Sequence, residues 1–313
     1  MNRINVNDLP NYLNQEIESY FLVTEKELRQ GAKDYFLRLK LADKTGSAVA
    51  NIWRNASQKS EMFNKGDVIR IKGMVIKYNK NIQISVSNIF NMESREYDLV
   101  DLIPSTNKDV NKLADNLYSL IDSIKDEHLN KLLNNIFQNK QFFTLFLKAP
   151  AAKSWHHNYA GGLIEHSISV ARICDFASNL YGLDRDLLIT GAILHDIGKV
   201  YEYNSNLSID FSTEGRLLGH FVIGDRLITE HAAKIDLFPK ETLMKLRHMV
   251  LAHHGEIEKG TVRVPQTLEA MVLHLADNMD AQTIGIQQVI NNSNGNNEWS
   301  EFDKLNQKFY YKG

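Results

Sequence analysis

Cysteine and long apolar runs are nearly missing from this chain of 313 residues. Cys174 is the single cysteine, which excludes an internal disulfide and a cysteine-based zinc framework. Because Cys174 falls in an apolar helical pattern, we predict a buried structural thiol rather than a nucleophile. No run of about eighteen apolar residues is present to span a membrane. The N-terminal segment lacks the apolar stretch of a signal peptide, so the cytoplasm is the expected location.

A large net charge is also missing, since the formal value at pH 7 is −2. The signs are unevenly distributed: 15 Lys and Arg stand against 11 Asp and Glu up to residue 96, and 21 against 27 after it. A mildly basic front part and an acidic back part suit a polyanion-binding module beside a metal-binding one.

Residues 19–92 show the period-two alternation of apolar and polar side chains that is typical of strands. The four stretches are YFLVTEKEL, DYFLRLKLADKTGSAVANIW, GDVIRIKGMVIKY and NIQISVSNIFNM. The second contains the turn signal DKTG, and Asn79-Lys80-Asn81 is another turn signal. Five short strands predict a small closed β-barrel, and the oligonucleotide-binding (OB) barrel is the commonest fold with this strand count.

From residue 107 onward apolar residues recur at three- and four-residue steps, which predicts helices throughout to about residue 290. SREYDLVDLIPSTN, at this change of period, is the predicted linker. We therefore expect a multidomain α+β protein with a small N-terminal OB-type β-barrel and an all-α domain. The expected boundaries are 1–96 for the barrel, 97–150 for the linker and connecting helices, 151–290 for the helical domain and 291–313 for a C-terminal tail.

Histidine is concentrated, with ten of the eleven histidines between residues 156 and 274. In LLITGAILHDIGKVYEY, His195 and Asp196 stand near the end of an apolar and therefore buried helix, which Gly198 is predicted to end. A buried carboxylate has to be paired, hydrogen-bonded or bound to a metal. Adjacent helical residues project about 100° apart. The pair can therefore hold two sides of a metal centre, with Asp196 bridging two cations and Lys199 beside it.

Further candidate ligands flank this pair at helical positions. They are His166, His220, His253, His254 and Asp277. Each alone is a weak signal, because a lone histidine on an apolar face is more often a core residue than a ligand. Together they give an order of histidines and aspartates that chance rarely produces.

That order resembles the HD-domain superfamily of metal-dependent phosphohydrolases over roughly residues 150–285. With a nucleic-acid-binding type of barrel in front, the whole chain resembles the YhaM-type 3′-to-5′ exoribonucleases. The resemblance is carried by WHHNYAGGLIEHSISVA, GAILHDIGK and LEAMVLHLADNMDA. The double histidine is followed by GEIEKGTVRVP and not by a GYP element, which argues against cyclic-di-GMP as the substrate.

The resemblance implies two metal positions that share Asp196. The first would be bound by His166, His195, Asp196 and Asp277. The second would be completed by His220, His253 and His254. Which histidine of the last pair is the ligand stays open, and the other would contact the scissile phosphate.

Two divalent cations about 3.5–4 Å apart can activate a water as hydroxide and neutralise charge on a phosphodiester. Imidazole and carboxylate ligands suit manganese, iron, cobalt or zinc, and the resemblance favours Mn²⁺. The expected catalytic residues are Asp196, Lys199 and His254, with the Lys199 ammonium on a non-bridging phosphate oxygen. The implied reaction removes nucleoside 5′-monophosphates from the 3′ end of single-stranded RNA, and cleavage of single-stranded DNA stays open.

Other polar residues of this region have two interpretations each. His156 and His157 either bind substrate in the pocket or donate a proton to the leaving group, or they are simple loop histidines. Glu269 and Asp280 either support the ligands or are ordinary helix charges. His274 is predicted to be a core residue.

The barrel would hold the RNA, because single-strand binding combines cations with aromatic stacking platforms. The predicted aromatic contacts are Phe36, Trp53 and Tyr78. The predicted basic run consists of Lys65, Arg70, Lys72, Lys77 and Lys80. The alternative is that Phe36 and Trp53 belong to the barrel core and that the lysines are simply solvated.

Two other functions remain open from the sequence. An HD-type nucleotide phosphohydrolase would have no need of a polymer-binding barrel. A DNA-binding, replication-associated protein would carry a structural or vestigial metal site, although every ligand position is filled here. No membrane partner is expected, and assembly into a homo-oligomer stays open.

Overall fold

The computed structural model describes residues 3–31, 34–79, 81–98, 101–102, 105–106, 108–153, 155–205, 209–293 and 298–313. These residues form two compact units, one up to Ser105 and one from Thr106 onward. Lys80, part of the predicted basic run, lies outside the described residues, as do residues 99, 100, 103, 104 and 107 of the predicted linker. Within the described part of the chain, no helix is both long and apolar enough to cross a membrane.

The first unit is a closed β-barrel of five strands in the order β1-β2-β3-β5-β4, which confirms the predicted OB-type barrel. The strands are β1 (Glu16–Gln30), β2 (Tyr35–Asp43), β3 (Gly46–Ile52), β4 (Val68–Tyr78) and β5 (Asn81–Asn91). A 3-10 helix, Val6–Tyr12, precedes the barrel, and the short helix α1 (Ala56–Ser60) connects β3 to β4. Strands β3 and β5 pair in parallel, whereas β1 pairs with β2 and β4 in antiparallel fashion.

Alternation along β2 explains how this barrel separates its core from its surface. Leu37, Leu39 and Leu41 are fully buried in the apolar interior. Phe36 and Lys40 lie on the opposite face of the strand, because successive side chains of a strand point to opposite sides. The outer face of β2 is therefore aromatic and basic.

Part of the predicted linker is attached to the barrel. Leu102 is buried and packs with Leu22 and Val68. The carboxylate of Asp101 accepts a hydrogen bond of 3.0 Å from the Tyr20 hydroxyl, and the 3.2 Å pair between Arg3 and Asp101 adds a charge contact. The barrel unit therefore extends beyond its last strand.

The second unit is mainly helical and has one continuous apolar core. Its helices are α2 (Val110–Asp122), α3 (Glu127–Phe137), α4 (Lys140–Lys148), α5 (Gly162–Tyr181), α6 (Arg185–Leu194), α7 (Lys199–Glu202), α8 (Thr213–Ala232), α9 (Lys240–Ala252) and α10 (Leu268–Asn292). Two further short 3-10 helices in the described part of the chain are Ser94–Glu96 in the first unit and Ile257–Lys259 in the second. Helices α2, α3 and α4, which precede residue 151, contribute to the same core as the later helices. Cys174 is fully buried in it, as predicted, and burial raises the pKa of its thiol to about 12.

The prediction of helices throughout residues 107–290 is wrong at one place. Strands β6 (Tyr203–Ser205) and β7 (Ile209–Phe211) form a two-stranded antiparallel sheet. Tyr203 lies opposite Phe211, with ring centroids 5.3 Å apart, and aromatic cross-strand pairs of this kind stabilise a hairpin. Helical periodicity did not reveal so short an interruption.

The predicted role of Gly198 as the end of a helix is also wrong. Helix α6 ends at Leu194, and Gly198 has right-handed dihedral angles (φ −63°, ψ −21°) just before α7. The reason for glycine is a close approach: a Cβ atom here would lie closer than 3.0 Å to the carbonyl oxygen of His220. Gly198 therefore lets the start of α7 contact the backbone of α8.

Candidate metal centre

The predicted ligands come from five helices that meet around Asp196. His166 projects from α5, His220 from α8 and Asp277 from α10. The pair His195-Asp196 follows the last residue of α6, and His253-His254 follows the last residue of α9. Helix ends can place two consecutive side chains toward one point, because the chain turns there.

Asp196 is 1% exposed, and its two carboxylate oxygens face different groups of ligands. Oδ2 lies 3.3 Å from His195 Nε2 and 3.5 Å from His166 Nε2. Oδ1 lies 3.4 Å from His253 Nε2 and 3.7 Å from His220 Nε2. This is the arrangement that a carboxylate needs in order to bridge two cations.

Two of the four sets of possible metal ligands among the described residues flank Asp196 without including it or Asp280. One set is His166, His195 and Asp277, with 3.1 Å between His166 Nε2 and Asp277 Oδ1. The other is His220, His253 and His254. In each set the possible ligand atoms lie within 4.8 Å of one another. The buried histidine and aspartate cluster is compatible with divalent metal binding.

Three buried polar atoms of this cluster have no hydrogen-bond partner among the described residues. They are Asp196 Oδ1, His220 Nε2 and His253 Nε2. A buried polar atom without a partner costs free energy, so native proteins rarely leave one unpaired. Three such atoms facing one another fit a cation, which accepts lone pairs from imidazole and carboxylate alike.

The imidazole rings are oriented by their second nitrogen. Nδ1 of His195 donates to the carbonyl oxygen of Ala192 at 2.8 Å, and Nδ1 of His253 donates to that of Val250 at 2.7 Å. Since a neutral imidazole carries one proton, these bonds leave both Nε2 atoms with a free lone pair. Both rings thus present the tautomer that a metal requires.

His166 is oriented by Asp280, a residue for which the sequence left two interpretations. Asp280 Oδ2 contacts His166 Nδ1 at 2.7 Å and His157 Nε2 at 3.0 Å. The other nitrogen of His157 contacts the Tyr159 hydroxyl at 2.8 Å. Burial raises the pKa of Asp280, but the hydrogen bonds from His157 and His166 lower it well below its usual range. The charged carboxylate therefore accepts from both histidines.

His220 is oriented by Glu202, at the end of α7. Oε1 of Glu202 accepts from the backbone N–H of His220 at 2.9 Å and lies 3.0 Å from its Nδ1. The preceding residue, Gly219, kinks α8 with φ +70° and ψ 161°, a left-handed conformation that favours glycine. The kink leaves the backbone N–H of His220 free to donate a hydrogen bond to the Glu202 carboxylate. Sequence reasoning missed Glu202, because no spacing rule relates it to His220.

The ionisable groups of the centre have strongly shifted pKa values. Burial would lower the pKa of His166, yet hydrogen bonds to Asp277 and Asp280 raise it to about 9, so a cation that binds this imidazole has to displace a proton. Burial lowers the pKa of His253 to about 3, which keeps this imidazole neutral. Burial raises the pKa of Asp196, but Lys199 and His195 lower it well below its usual range. The carboxylates of Asp196 and Asp280 are therefore ionised.

A cavity of about 220 Å³ opens beside this centre. Its lining residues are Trp155, His156, Lys199, His254, His274, Asp277, Asn278, Ala281 and Gln282. Lys199 is buried, and its Nζ donates to Asp196 Oδ2 at 2.6 Å. The cavity therefore lies beside the Lys199 ammonium and beside the predicted ligands His254 and Asp277. This combination suits an anionic substrate.

The remaining predicted residues occupy different positions. His156 lines the cavity, and burial together with His166 and Lys199 lowers its pKa to about 3. His157 is fully buried and contacts Asp280. His274, predicted as a core residue, is half-buried at the cavity wall, where its Nδ1 lies 2.8 Å from the carbonyl oxygen of His253. Glu269 lies elsewhere and accepts from the backbone of Asp184 at 3.3 Å.

On the barrel, Trp53 is 55% exposed and stacks on Phe36 with ring centroids 4.8 Å apart. The core alternative for these two residues is therefore wrong. Arg38 and Lys40 follow Phe36 at two-residue steps on β2, and sequence reasoning missed them although strand alternation places them on one face. The strands β2 and β3 form the usual oligonucleotide face of OB barrels.

The predicted basic run lies on β4 and around it. Lys77 and Tyr78 are exposed at the end of the strand. Lys72 is 3.2 Å from Glu16, and Arg70 is 3.6 Å from Glu18. Acidic partners on β1 thus neutralise the middle of the run. Lys65 is exposed in the segment before β4.

Two family models match the chain. A model described as HD domain matches residues 163–282, and one described as OB-fold nucleic acid binding domain matches residues 22–91. The two matches fall in the helical unit and in the barrel, respectively.

Curated relatives match over most of the chain. The 3′-5′ exoribonuclease YhaM of Shouchella clausii is 33% identical over 86% of this chain and 84% of its own length. The 3′-5′ exoribonuclease YhaM of Bacillus subtilis is 31% identical over 86% of this chain and 85% of its own length. Among solved structures, the second OB-fold domain of replication protein A from Methanococcus maripaludis is 24% identical over 26% of this chain and 88% of that chain, with a TM-score of 0.23, which is too low for a functional argument.

Proposed function

Since this chain belongs to the YhaM family of 3′-5′ exoribonucleases, we propose that it hydrolyses single-stranded RNA from the 3′ end and releases nucleoside 5′-monophosphates. The observation that carries the proposal is the ring of ligand atoms around Asp196. Its two oxygens face two separate histidine sets beside a cavity that contains a buried ammonium. Such a site suits a phosphodiester and a pair of divalent cations.

The first cation position would be held by His166, His195, Asp277 and Oδ2 of Asp196. The second would be held by Oδ1 of Asp196 together with His220, His253 and His254. His253 is the inner imidazole of the last pair, and His254 faces the cavity. The donor set of nitrogen and carboxylate oxygen suits manganese, with iron, cobalt and zinc as alternatives.

Bound cations would supply the activation of water and the neutralisation of charge on the phosphodiester. Lys199 holds its ammonium between Asp196 and the cavity, where it can bind a non-bridging phosphate oxygen. His254 and His156 lie at the same wall. His156 is neutral at physiological pH, and its buried Nδ1 has no partner among the described residues, so it can bond the substrate. We assign His157 a positioning role toward His166 through Asp280.

The barrel would bind the strand upstream of the 3′ end. The stacked pair Phe36 and Trp53 offers a platform for bases, and Arg38 on the same strand as Phe36 offers a cation for phosphates. Lys40 contributes less, because it pairs with Glu25 at 3.3 Å. Lys77 and Tyr78 extend this surface to the β4–β5 turn, and Lys72 contributes less because Glu16 neutralises it. Such a surface favours a polymer over a mononucleotide substrate, and it does not discriminate strongly between RNA and single-stranded DNA.

Single-stranded RNA labelled at its 5′ end tests the proposal. With Mn²⁺ the protein should produce a ladder that recedes from the 3′ end, release 5′-monophosphates and slow at a stable hairpin. A chelator should stop the reaction, and the same sequence as DNA measures the sugar preference. Internal fragments of fixed size, or cleavage of a circular RNA, would make the protein an endonuclease instead.

A further inference from the structure

The cavity beside the metal centre has two chemically different walls. The wall next to Asp196 carries charge and imidazole, namely Lys199, His156, His254 and Asp277. The rest of the described lining, apart from the imidazole of His274, has no ionisable side chain: it consists of the indole of Trp155, the methyl group of Ala281 and the amides of Asn278 and Gln282. The first wall suits a phosphate, and the second suits a neutral, flat group with hydrogen-bonding edges.

Helix α10 connects these walls. Asp277, Asn278, Ala281 and Gln282 lie on one face of the helix, because residues three and four apart share a face. Gln282 is five residues beyond Asp277, which corresponds to about 7.5 Å along the helix axis. A group bound at the second wall is therefore about one nucleotide unit away from a phosphate bound at the first.

The indole of Trp155 packs against α10 at Gly285. A Cβ atom on Gly285 would lie closer than 3.0 Å to three atoms of the indole ring, so only glycine admits the ring at this place. Trp155 is only half-buried, and it lines the cavity. An aromatic side chain fixed in this way can accept a stacked base with little loss of conformational entropy.

The two amides are available for recognition. Neither the side chain of Asn278 nor that of Gln282 has a hydrogen-bond partner among the described residues, although each offers a donor and an acceptor. Since they are one helical turn apart, both amides can reach the edge of one ring system. Paired amides of this type recognise heterocycles that present donors and acceptors side by side.

From these observations we propose that Trp155, Asn278 and Gln282 form a subsite for the base of the 3′-terminal nucleotide. Trp155 stacks on the base, and the two amides contact its edge. The subsite rests on the proposed function, because it places the base of the nucleotide whose phosphate lies at Lys199 and the metal ligands. It would also give this enzyme a preference among 3′-terminal bases.

Binding of two non-hydrolysable probes tests the subsite in the full-length protein with Mn²⁺. AMP and ribose 5-phosphate share the phosphate and the sugar, so the difference in their dissociation constants measures the base. Isothermal titration should show that AMP binds about tenfold more tightly, since stacking of one base on an aromatic side chain is typically worth this factor or more. In Trp155→Ala the difference should fall below about twofold, and Trp155→Phe should retain part of it.

Gly285→Ala provides a second route to the same result, because the added methyl group displaces the indole while leaving it in the protein. Its AMP preference should resemble that of Trp155→Ala. Trp299→Ala is the matched control, since Trp299 is an exposed tryptophan in the C-terminal segment. This control should keep the full preference. Circular dichroism verifies that each variant is folded.

A kinetic measurement serves if monophosphates bind too weakly to be detected. An RNA with an abasic 3′-terminal nucleotide should then have a higher KM than one ending in adenosine, and Trp155→Ala should abolish the difference. Equal binding of AMP and ribose 5-phosphate, or a preference that survives in both Trp155→Ala and Gly285→Ala, would overturn the subsite. A protein that fails to shorten any RNA would instead refute the proposed function.

Discussion

A buried carboxylate in the barrel and one in the helical unit differ in their hydrogen bonding. In the barrel, Asp43 is 1% exposed and accepts hydrogen bonds from the Val6 N–H (2.8 Å), the Thr45 N–H (2.8 Å) and the Thr45 hydroxyl (2.6 Å). In the helical unit, Asp196 is equally buried, yet its Oδ1 has no hydrogen-bond partner within the described part of the chain. The Asp43 carboxylate receives its hydrogen bonds from the protein itself. The Asp196 carboxylate has an oxygen placed to bind a group that is not part of the chain, such as a cation.

This difference separates a structural polar group from a functional one. Burial is the same in the two cases, so it does not identify a site by itself. The distinguishing feature is the set of unpaired atoms around Asp196, since His220 Nε2 and His253 Nε2 are also unpaired and face it. The comparison predicts that the two units respond differently to mutation and to metal.

The largest effect is expected from Asp196→Ala. It removes the carboxylate shared by both proposed cation positions, and the loss of several kcal/mol of transition-state stabilisation corresponds to a decrease in hydrolysis of at least about a thousandfold. Labelled RNA with Mn²⁺ measures the rate. Asp115→Ala, which alters an exposed carboxylate on α2, should leave it unchanged. Substantial activity in Asp196→Ala would show that the centre is not catalytic.

The second prediction concerns thermal stability. Because a metal bound only by the folded state stabilises it, Mn²⁺ at a hundred times its Kd should raise the free energy of unfolding by about 2.7 kcal/mol per site. The melting temperature of the helical unit should therefore rise by several degrees, whereas that of the barrel should not. Differential scanning calorimetry at increasing Mn²⁺ concentration separates the two transitions. If Asp196→Ala shows the same rise, the cation binds elsewhere.

The third prediction concerns Glu202→Gln, which weakens the acceptor that orients His220. Loss of a group that supports a metal ligand typically lowers metal affinity by about 10- to 100-fold. Titration with Mn²⁺ should reveal weakened binding at one site and unchanged binding at the other. The control is Glu214→Gln, because Glu214 is on the same helix as His220 and pairs with Arg226 at the surface. Equal weakening in both variants would point to general destabilisation of α8.

The smallest effect is expected on the barrel. Trp53→Ala should weaken binding of long single-stranded RNA about tenfold, because one stacking platform is lost, and should leave hydrolysis of a small model diester unchanged. Arg38→Ala should lower the salt dependence of RNA affinity by about 0.7 in the slope of log K against log salt, as expected for one phosphate contact. Filter binding at several salt concentrations measures both. Unchanged affinity in both variants would place the RNA on another surface.

The features that sequence analysis predicted correctly are those with a local signature. Alternation along residues 35–43 identified β2, and the adjacent His195 and Asp196 in an apolar helix indicated a buried polar site. The contacts that complete the site are not local. Glu202 reaches His220 only because α8 is kinked at Gly219, and the seat of Trp155 on Gly285 joins two distant segments. Periodicity contains no information about either contact.

Gly198 controls the position of His220 relative to the other predicted metal ligands. With any side chain at this position, the carbonyl of His220 would have to move, and the histidine would move with it relative to His195 and Asp196, which follow α6. The spacing between the two sets of ligands therefore depends on the lack of a Cβ atom at Gly198. A side chain at Gly198 is therefore expected to shift His220 relative to the other ligands and so to change which ions fit the centre.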